Sequence, residues 1–586
     1  MAIRRNKGNL VNSVALGVAS YIVMQRSGPI ISGSDINTIP ALAACLLTVF
    51  SFRVLKSVLL GISDLFSTLK ARTPTGHKGT GGLAKSLKEL KGDLLNSRLG
   101  PYWGVFKGKP IFADFESNAA VIGTSGSGKT VGHVIPNILT ILSSKFIVDF
   151  KRDLFDIVSP VLEARGEKCI LLDLTGKDPR TAALNPLIVF TELFSDEGGL
   201  LDISFRLLSM TRQLSPDPKG GRTQNSYFDD GARTLIAFAI LTIVLTKGSD
   251  GTLADVIQLL KDRKALLHYA QFATGRLQND DGSQAEMSLH DAPWVQHHSA
   301  EDVESFFADY RIEAIDVAEL LESENTRTAD SFLTGARQAL ALFRAATPSH
   351  KVLSKTTFSF SELKDSDRIV NVFVQADASN IEAYKDALGL INWCMFQELQ
   401  RSRNKKTPVY CILDECTNYF VEGLAKLLTW GRGYGTRILL SLQSLAAFAS
   451  TYGHEALKTM LSETEIKLFL AGQREPETLK MLQAMVGDQS TIISGFRSSE
   501  QKRLLGVDGI DFREDGRPGK TADEIRRSPQ ALLFLRQNKA IETELPPYAA
   551  ISPIRKLVGD NPFYGKPWLL PIKLNLNHLF RKVKRA

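Results

Sequence analysis

The sequence predicts an α/β fold: a parallel sheet with flanking helices, an inserted all-α domain, and an N-terminal two-helix membrane anchor. Three observations support this prediction. Short apolar runs with the length of buried strands alternate with helical patterns along much of the chain. Between about 195 and 350 the pattern becomes helical, with no convincing strand. Two further apolar runs lie within residues 1–66, ahead of the first strand signal.

Residues 1–66 are predicted to anchor the chain in a lipid bilayer. Leu10–Met24 and Ile39–Phe52 are apolar, although each is shorter than the roughly 18–20 residues that span a bilayer comfortably. The long side chains of Arg53 and Lys56 can reach the bilayer surface and so lengthen the second span. A cleaved signal peptide is the alternative for the first run, but no A-x-A cleavage site follows it.

Basic residues predict the orientation of this anchor. The loop Gln25–Thr38 between the two runs contains Arg26 as its only cation. Lys and Arg concentrate on the cytoplasmic side of membrane proteins. We therefore expect both ends in the cytoplasm and a short loop outside, with residues 67–98 as a linker. The flank after the second run contains six basic residues: Arg53, Lys56, Lys70, Arg72, Lys78 and Lys85.

A glycine-rich loop follows the apolar run Ala119–Ile122. The stretch Gly123–Thr130 reads G-x-x-x-x-G-K-[ST], and a preceding strand is part of the context that this motif requires. Its glycines let the backbone curl, so that successive amide N–H groups point at a polyphosphate. Lys129 is expected to reach the β- and γ-phosphates, and Thr130 to ligate Mg²⁺. The sequence therefore predicts an ATP site formed by Gly123, Thr124, Ser125, Gly126, Ser127, Gly128, Lys129 and Thr130.

A second apolar strand, Val409–Leu413, ends in two adjacent acids. Asp414 is expected to hold the hydration shell of Mg²⁺, and Glu415 to activate the attacking water as a general base. The alternative is a solvated acidic turn. Together with the glycine-rich loop, the acidic pair predicts hydrolysis of ATP.

The loop and the acidic pair are farther apart in sequence than a compact nucleotide-binding domain requires. We therefore predict that this domain is split into residues 99–194 and 346–558 by the all-α domain, residues 195–345. Residues 559–586 form a basic C-terminal tail. Nucleic acid, anionic lipid and plain disorder remain open for that tail.

Charge differs sharply between these parts. Residues 195–350 contain 23 acidic against 14 basic residues, whereas the whole chain has a net charge of +8. The remainder of the chain is basic and is expected to attract a polyanion such as nucleic acid. The acidic helical segment is expected to repel it. The acids of Glu301–Glu324 are either a solvated helix face or a docking face for a basic protein.

The five cysteines are scattered without a C-x-x-C pair, which favours a reducing compartment and argues against zinc. His290, His297 and His298 match no familiar metal spacing. The expected cofactors are therefore ATP and Mg²⁺ alone.

Further segments surround these motifs: Gly104–Phe112, Val148–Asp153, Leu184–Leu187, Tyr227–Arg233, Trp430–Gly435 and Leu442–Ser444. Together with the two motifs they resemble the type IV secretion coupling proteins, the TraG/TraD group of conjugative ATPases. The resemblance covers most of residues 100–555 and implies a RecA-like core that assembles as a homo-hexamer. It also implies that Arg432 is an arginine finger reaching the neighbouring subunit's ATP, and that Gln443 senses the γ-phosphate.

Two departures from the family pattern stand out. Lys151-Arg152-Asp153 replaces the family's Lys-Gly-Glu, so this turn is expected to differ in conformation. Cys416 and Asn418 after the acidic pair are also unusual. Neither departure changes a group that is predicted to bind phosphate, metal or water.

The resemblance implies a bacterial inner-membrane ATPase that delivers single-stranded DNA with an attached relaxase, or secreted effector proteins, to a type IV secretion channel. Two alternatives remain open at this point. One is a membrane receptor that gathers protein substrates and uses ATP binding as a switch. The other is an FtsK-like translocase of double-stranded DNA, against which the long insertion argues.

Overall fold

The computed structural model describes most of the chain after the predicted membrane anchor. The described residues are 77–90, 94, 100–194, 196, 199–216, 226–276, 298–323, 326–497, 509–563, 565, 569–574 and 576. Within these ranges, no helix is both long enough and apolar enough to cross a bilayer. The predicted spans Leu10–Met24 and Ile39–Phe52 lie outside the described residues, as does the end of the basic tail.

Two compact units divide the chain. The larger contains Gly82–Val486 and Lys520–Ala586, and the smaller contains Met1–Gly81 and Gly487–Gly519. The strands of both units, in chain order, are β1 Tyr102–Phe106, β2 Lys109–Phe112, β3 Asn118–Ile122, β4 Ser144–Asp149, β5 Lys168–Asp173, β6 Val370–Gln375, β7 Val409–Leu413, β8 Thr436–Leu442, β9 Thr464–Phe469, β10 Asp488–Arg497, β11 Gly509–Pro518, β12 Ala531–Leu535 and β13 Ile541–Thr543.

In the larger unit, nine of the described strands form one sheet in the order β13-β12-β9-β3-β8-β7-β4-β6-β5. The seven strands from β9 to β5 are parallel, as the apolar runs predicted. Strand β12 pairs antiparallel with both β9 and β13. Of these three strands, β12 and β13 were not predicted. Since parallel strands share one carboxyl edge, the loops after β3, β4, β7 and β8 meet at the same side of the sheet.

Two antiparallel hairpins complete the strand pairing. Strands β1 and β2 pair with each other and include Gly104–Phe112, one of the segments that contribute to the family resemblance. In the smaller unit, β10 and β11 form a long ribbon, and Thr80 bridges to Gln489 at its edge.

The α-helices of the larger unit lie between these strands. In chain order they are α1 Ile135–Thr140, α2 Leu154–Ala164, α3 Ile188–Leu193, α4 Leu200–Leu214, α5 Ser226–Lys247, α6 Leu253–Lys261, α7 Arg263–Ala273, α8 Ala300–Glu322, α9 Thr326–Ala339, α10 His350–Leu353, α11 Glu362–Asp365, α12 Lys385–Arg401, α13 Leu424–Trp430, α14 Leu445–Tyr452, α15 His454–Glu463, α16 Pro476–Val486, α17 Ala522–Arg527 and α18 Ser552–Leu557.

Two apolar cores lie on opposite faces of the sheet because successive side chains of a strand alternate. Ala119 and Val121 belong to the core under the β1–β2 hairpin, α1 and α2. Ala120 and Ile122 belong to the core on the other face, which also contains residues from helices α3 to α9. The glycine-rich loop therefore follows a strand that is buried on both faces.

The helical segment between β5 and β6 agrees with the predicted helices, with one difference. The sequence pattern also predicts helix over Val317–Phe343, whereas α8 ends at Glu322 and α9 begins at Thr326. Ser323 follows α8 in an extended conformation, with its N–H donating to the Glu319 carbonyl. Because the turn is short, the periodic spacing of apolar residues continues from α8 to α9, and the sequence pattern does not reveal the break between them.

Helix α12, which lies between β6 and β7 in the chain, packs against both the sheet and the helical segment. Its residues from Ala387 to Phe396 are all buried, as expected for a helix that is enclosed on every side. Trp393 donates from Nε1 to the Ser209 hydroxyl of α4 at 2.8 Å. A Cβ on Gly389 would lie 2.1 Å from the Phe420 carbonyl oxygen, so α12 packs as closely as only glycine permits.

Asn137 of α1 is predicted to be essential for stability. Its fully buried amide accepts from the Tyr102 N–H at 2.7 Å and donates to the carbonyls of Tyr102 and His133, each at 2.9 Å. Asn137→Ala leaves the buried backbone groups of Tyr102 without partners, which should cost about 2–4 kcal/mol. We expect a lower unfolding temperature than for wild type in differential scanning fluorimetry. Asn380→Ala, in an exposed turn, is the control, and equal unfolding temperatures for both variants would contradict this role.

Candidate nucleotide-binding site

The glycine-rich loop leaves β3 at the carboxyl edge of the sheet, between β8 and β9. Gly126 and Gly128 have φ angles of 78° and 87°, a conformation that favours glycine. At Gly123 a Cβ would lie 2.6 Å from the Ser127 Oγ and 2.9 Å from the Leu470 Cβ. The three glycines are thus required by the shape of the loop, and Thr130–Val134 then continues it as one π-helical turn.

Lys129 lies across this loop. Its ammonium donates to the carbonyl oxygens of Gly123 at 2.6 Å and Thr124 at 3.4 Å, and the residue is 5% exposed. Burial lowers the pKa of Lys129, and the nearby carboxylates of Glu415 and Asp414 oppose that effect. The side chain is therefore held inside the loop and close to the acidic pair.

Asp414, which directly follows β7, bonds to a residue of β8 and to the turn after the glycine-rich loop. Its carboxylate accepts from the Ser441 hydroxyl of β8 at 2.7 Å and from the Thr130 hydroxyl at 3.4 Å. Burial raises the pKa of Asp414, and the charge of Glu415 adds to this rise. Hydroxyl and carboxylate oxygens are the ligands that Mg²⁺ prefers, so Thr130 and Asp414 fit the predicted metal.

Glu415 has a left-handed backbone with φ of 48°, which is uncommon for a residue other than glycine. Its Oε2 accepts from the side-chain amides of Gln443 at 3.2 Å and Asn418 at 3.1 Å. Two donors thus fix one carboxylate oxygen, and strained backbone of this kind is common at functional sites. The structure therefore brings Gln443 to Glu415, next to Asp414 and the loop.

Arg432 lies at the opposite edge of the sheet. It belongs to the 3₁₀ turn Gly431–Tyr434 ahead of β8, and its guanidinium pairs with the Glu116 carboxylate ahead of β3. Strand β3 separates Glu116 from the loop by about 20 Å at about 3.3 Å per residue. Arg432 therefore cannot reach the glycine-rich loop of its own chain, and a role at an ATP site requires a neighbouring chain.

Sequence reasoning assigned no role to two of the residues that hold the acidic pair. Ser441 is a polar residue within an otherwise apolar strand, and that pattern could have drawn attention to it. Asn418 was noticed as unusual, and its contact with Glu415 now explains its presence. Cys416 is fully buried, and burial raises the pKa of its thiol, so it acts as a small apolar residue.

Comparison with known proteins identifies the family. The model for "Type IV secretory system Conjugative DNA transfer" matches residues 77–548. The chain is a type IV coupling protein.

Two curated relatives of this coupling protein are named Protein VirD4. The protein from Rhizobium rhizogenes is 24% identical over 494 residues, which cover 81% of the chain and 65% of the relative. The protein from Agrobacterium fabrum is 24% identical over 458 residues, which cover 77% and 61%. The coupling protein thus spans less than two thirds of the length of these relatives.

Solved structures of the bacterial conjugative coupling protein TrwB share the fold. The unbound form, which lacks 70 N-terminal residues, has a TM-score of 0.55 at 17% identity and covers 83% of this chain and 96% of its own. TrwB in complex with ADP and Mg²⁺ has a TM-score of 0.52 at 17% identity and covers 80% and 94%. The prediction of an α/β fold with a large parallel, RecA-like sheet is confirmed.

Proposed function

We propose that this coupling protein binds ATP with Mg²⁺ and hydrolyses it to drive the transfer of a substrate. The observation that carries this proposal is the cluster at the carboxyl edge of the sheet. There Thr130 is hydrogen-bonded to Asp414 and Gln443 is hydrogen-bonded to Glu415, and the charges of both carboxylates act on Lys129. TrwB, which has the same fold, has been solved in complexes with ADP and Mg²⁺ and with an ATP analogue.

Each residue of the cluster has a distinct proposed role. The N–H groups of the loop and the Lys129 ammonium hold the phosphates. Thr130 and Asp414 hold Mg²⁺, which stabilises negative charge on the phosphate oxygens. Glu415 takes the proton of the attacking water, and its second oxygen is held by two amides, so that one oxygen stays free for this task. Gln443, at the end of β8, donates a hydrogen bond to Glu415. Its proposed role is to sense the terminal phosphate.

We propose a homo-hexamer as the active assembly. Its support is the position of Arg432, which is 63% exposed in its side chain and lies on the edge of the sheet opposite the glycine-rich loop. A ring of copies places this arginine at the ATP of the next copy, as in other RecA-like enzymes. Hydrolysis then depends on assembly.

The substrate and the location follow from family membership and charge. We propose that the protein delivers relaxase-bound single-stranded DNA, secreted proteins or both to a type IV secretion channel from the bacterial inner membrane. Residues 1–66 would hold it in the bilayer with both ends in the cytoplasm, and the split domain 99–194 and 346–558 would be the motor. Contacts to DNA are expected to be independent of sequence and to weaken with salt.

A second candidate function is recruitment of a basic protein by the all-α domain, residues 195–345. Its support is helix α8, whose exposed residues include a run of acids: Glu301, Glu304, Asp309, Asp316 and Glu319. In this case ATP acts mainly as a switch, and turnover need not respond to DNA.

The rate of ATP hydrolysis by the full-length chain in detergent, with and without single-stranded DNA, separates these functions. We expect DNA to raise the rate and salt to reduce the increase. Lys129→Ala should abolish nucleotide binding because the variant loses the cation of the loop, and retained affinity in equilibrium dialysis would contradict the predicted ATP site. A DNA-independent rate in wild type, together with loss of binding in Lys129→Ala, would favour the recruitment function.

A further inference from the structure

The turn after β4 brings another cation to the edge of the sheet that carries the acidic pair. Strands β4 and β7 are paired in parallel, with Val148 beside Leu413. Neighbouring strands lie about 4.8 Å apart. Asp149, the last residue of β4, therefore lies beside Asp414, and the residues that follow it emerge next to Glu415.

Asp149 fixes the shape of this turn. Its buried carboxylate accepts from the backbone N–H groups of Lys151 at 2.9 Å, Arg152 at 3.0 Å and Leu154 at 2.9 Å. Three donors to one carboxylate leave the turn little freedom. The position of Lys151 is thus set by the end of a central strand.

Arg152 is the departure from the family pattern noted in the sequence. It has φ of 59°, the left-handed conformation for which the family's glycine is suited. Arg152 adopts this backbone although it costs about 1 kcal/mol for a residue with a Cβ. Its guanidinium lies 3.4 Å from the Asp173 carboxylate at the end of β5. The turn that presents Lys151 is therefore held by the Asp149 carboxylate and by the contact between Arg152 and Asp173.

Lys151 itself is exposed, and its ammonium forms no hydrogen bond or ion pair with the described residues. Its charge nevertheless acts on both Lys129 and Asp414, contributing to the lowered pKa of Lys129. The sheet order β3-β8-β7-β4 places Lys129 and Lys151 on opposite sides of Asp414. The two lysines therefore lie on either side of the acidic pair along this edge of the sheet.

We propose that Lys151 is a second lysine that contacts the terminal phosphate of the bound nucleoside triphosphate and stabilises the transition state of hydrolysis. The proposal rests on the proposed ATPase function and assigns a further catalytic residue to it. During phosphoryl transfer, negative charge spreads over the terminal phosphate oxygens, and a fixed cation there lowers the barrier. Lys129 approaches these oxygens from the side of the loop, and Lys151 approaches from the side of β4. A diphosphate lacks the group that Lys151 contacts.

The test compares Lys151→Ala, Lys151→Arg and Lys177→Ala in the full-length chain. Lys177 is the matched control because it is an exposed lysine in the loop after β5, at the same edge of the sheet but beyond β6. For Lys151→Ala we expect kcat to fall about 10- to 100-fold. Affinity for a non-hydrolysable ATP analogue should also fall, whereas affinity for ADP stays within about twofold. Lys151→Arg should recover most of the rate, and Lys177→Ala should behave as wild type.

The outcomes separate this proposal from the proposed function. If Lys129→Ala loses nucleotide binding but Lys151→Ala keeps the wild-type kcat and analogue affinity, Lys151 is not catalytic and the ATPase function stands. If Lys151→Ala keeps its basal rate and loses only stimulation by DNA, Lys151 contacts DNA and the proposal is overturned. If Lys129→Ala retains nucleotide binding, the proposed function itself fails. Equal unfolding temperatures of all variants ensure that these differences do not reflect misfolding.

Discussion

Arg432→Ala is expected to lower the rate of ATP hydrolysis by the assembled protein about 10³- to 10⁵-fold, the range typical of arginine fingers. The affinity for ATP should not change. The reason is position: Arg432 pairs with Glu116 at the amino edge of the sheet and cannot reach the loop of its own chain. Its loss therefore removes charge stabilisation from the neighbour's site only. The measurement is kcat above the concentration at which the protein assembles, with affinity measured in parallel on the dilute protein.

A mixing experiment tests the action between chains directly. Neither Arg432→Ala nor Lys129→Ala should hydrolyse ATP alone. When the two are mixed, some interfaces combine an intact loop from one chain with an intact Arg432 from the other, so activity should return in part. Lys458→Ala, which removes an exposed cation paired with Glu455, serves as the control and should keep the wild-type rate. An unchanged rate in Arg432→Ala would place the finger elsewhere.

Glu415→Gln is expected to bind ATP normally and to lower the rate of hydrolysis about 10²- to 10⁴-fold, the usual contribution of a general base. The amide has nearly the same shape as the carboxylate, but it cannot take a proton from water. Because Lys129 and Thr130 are unchanged, binding should persist. Single-turnover release of phosphate measures the chemical step without interference from product release.

The control for this variant is Glu477→Gln, since Glu477 is an exposed acid in the first turn of α16. It should release phosphate at the wild-type rate. Normal release by Glu415→Gln would exclude this residue as the base. Loss of ATP binding in Glu415→Gln would instead indicate that Glu415 is needed to shape the loop.

Much of the site could be predicted because parallel strands end at one edge of a sheet. The loop after Ile122 and the acids after Leu413 each follow a buried strand, so their convergence needs only the correct direction of two strands. The sequence also contained Gln443 directly after the run that forms β8. The structure therefore brings together the groups that the motifs predicted to act together. Their individual roles stay predictions.

Other features depend on contacts that no local pattern contains. The left-handed backbone of Glu415 and the amide of Asn418 act together on one carboxylate oxygen, and neither has a signal in sequence spacing. The antiparallel strands β12 and β13 extend the sheet beyond β9, and their pairing is decided by long-range packing. Arg152 is a further case, since its left-handed backbone is held by the Asp149 carboxylate, a contact that the sequence around it does not indicate.

Helix α12 has a mechanical consequence for the proposed transfer of a substrate. The helix contacts β7 through Met395 and Cys411 and contacts α4 through Trp393, and every residue from Ala387 to Phe396 is buried. Close-packed interiors of this kind have low compressibility and transmit strain. A force on the helical segment would therefore be transmitted to the carboxyl edge of the sheet. A displacement of that edge would in turn be transmitted back to the helical segment. In the proposed motor, the helical segment would therefore move with the sheet as a stiff body, and little of each movement would be lost to deformation.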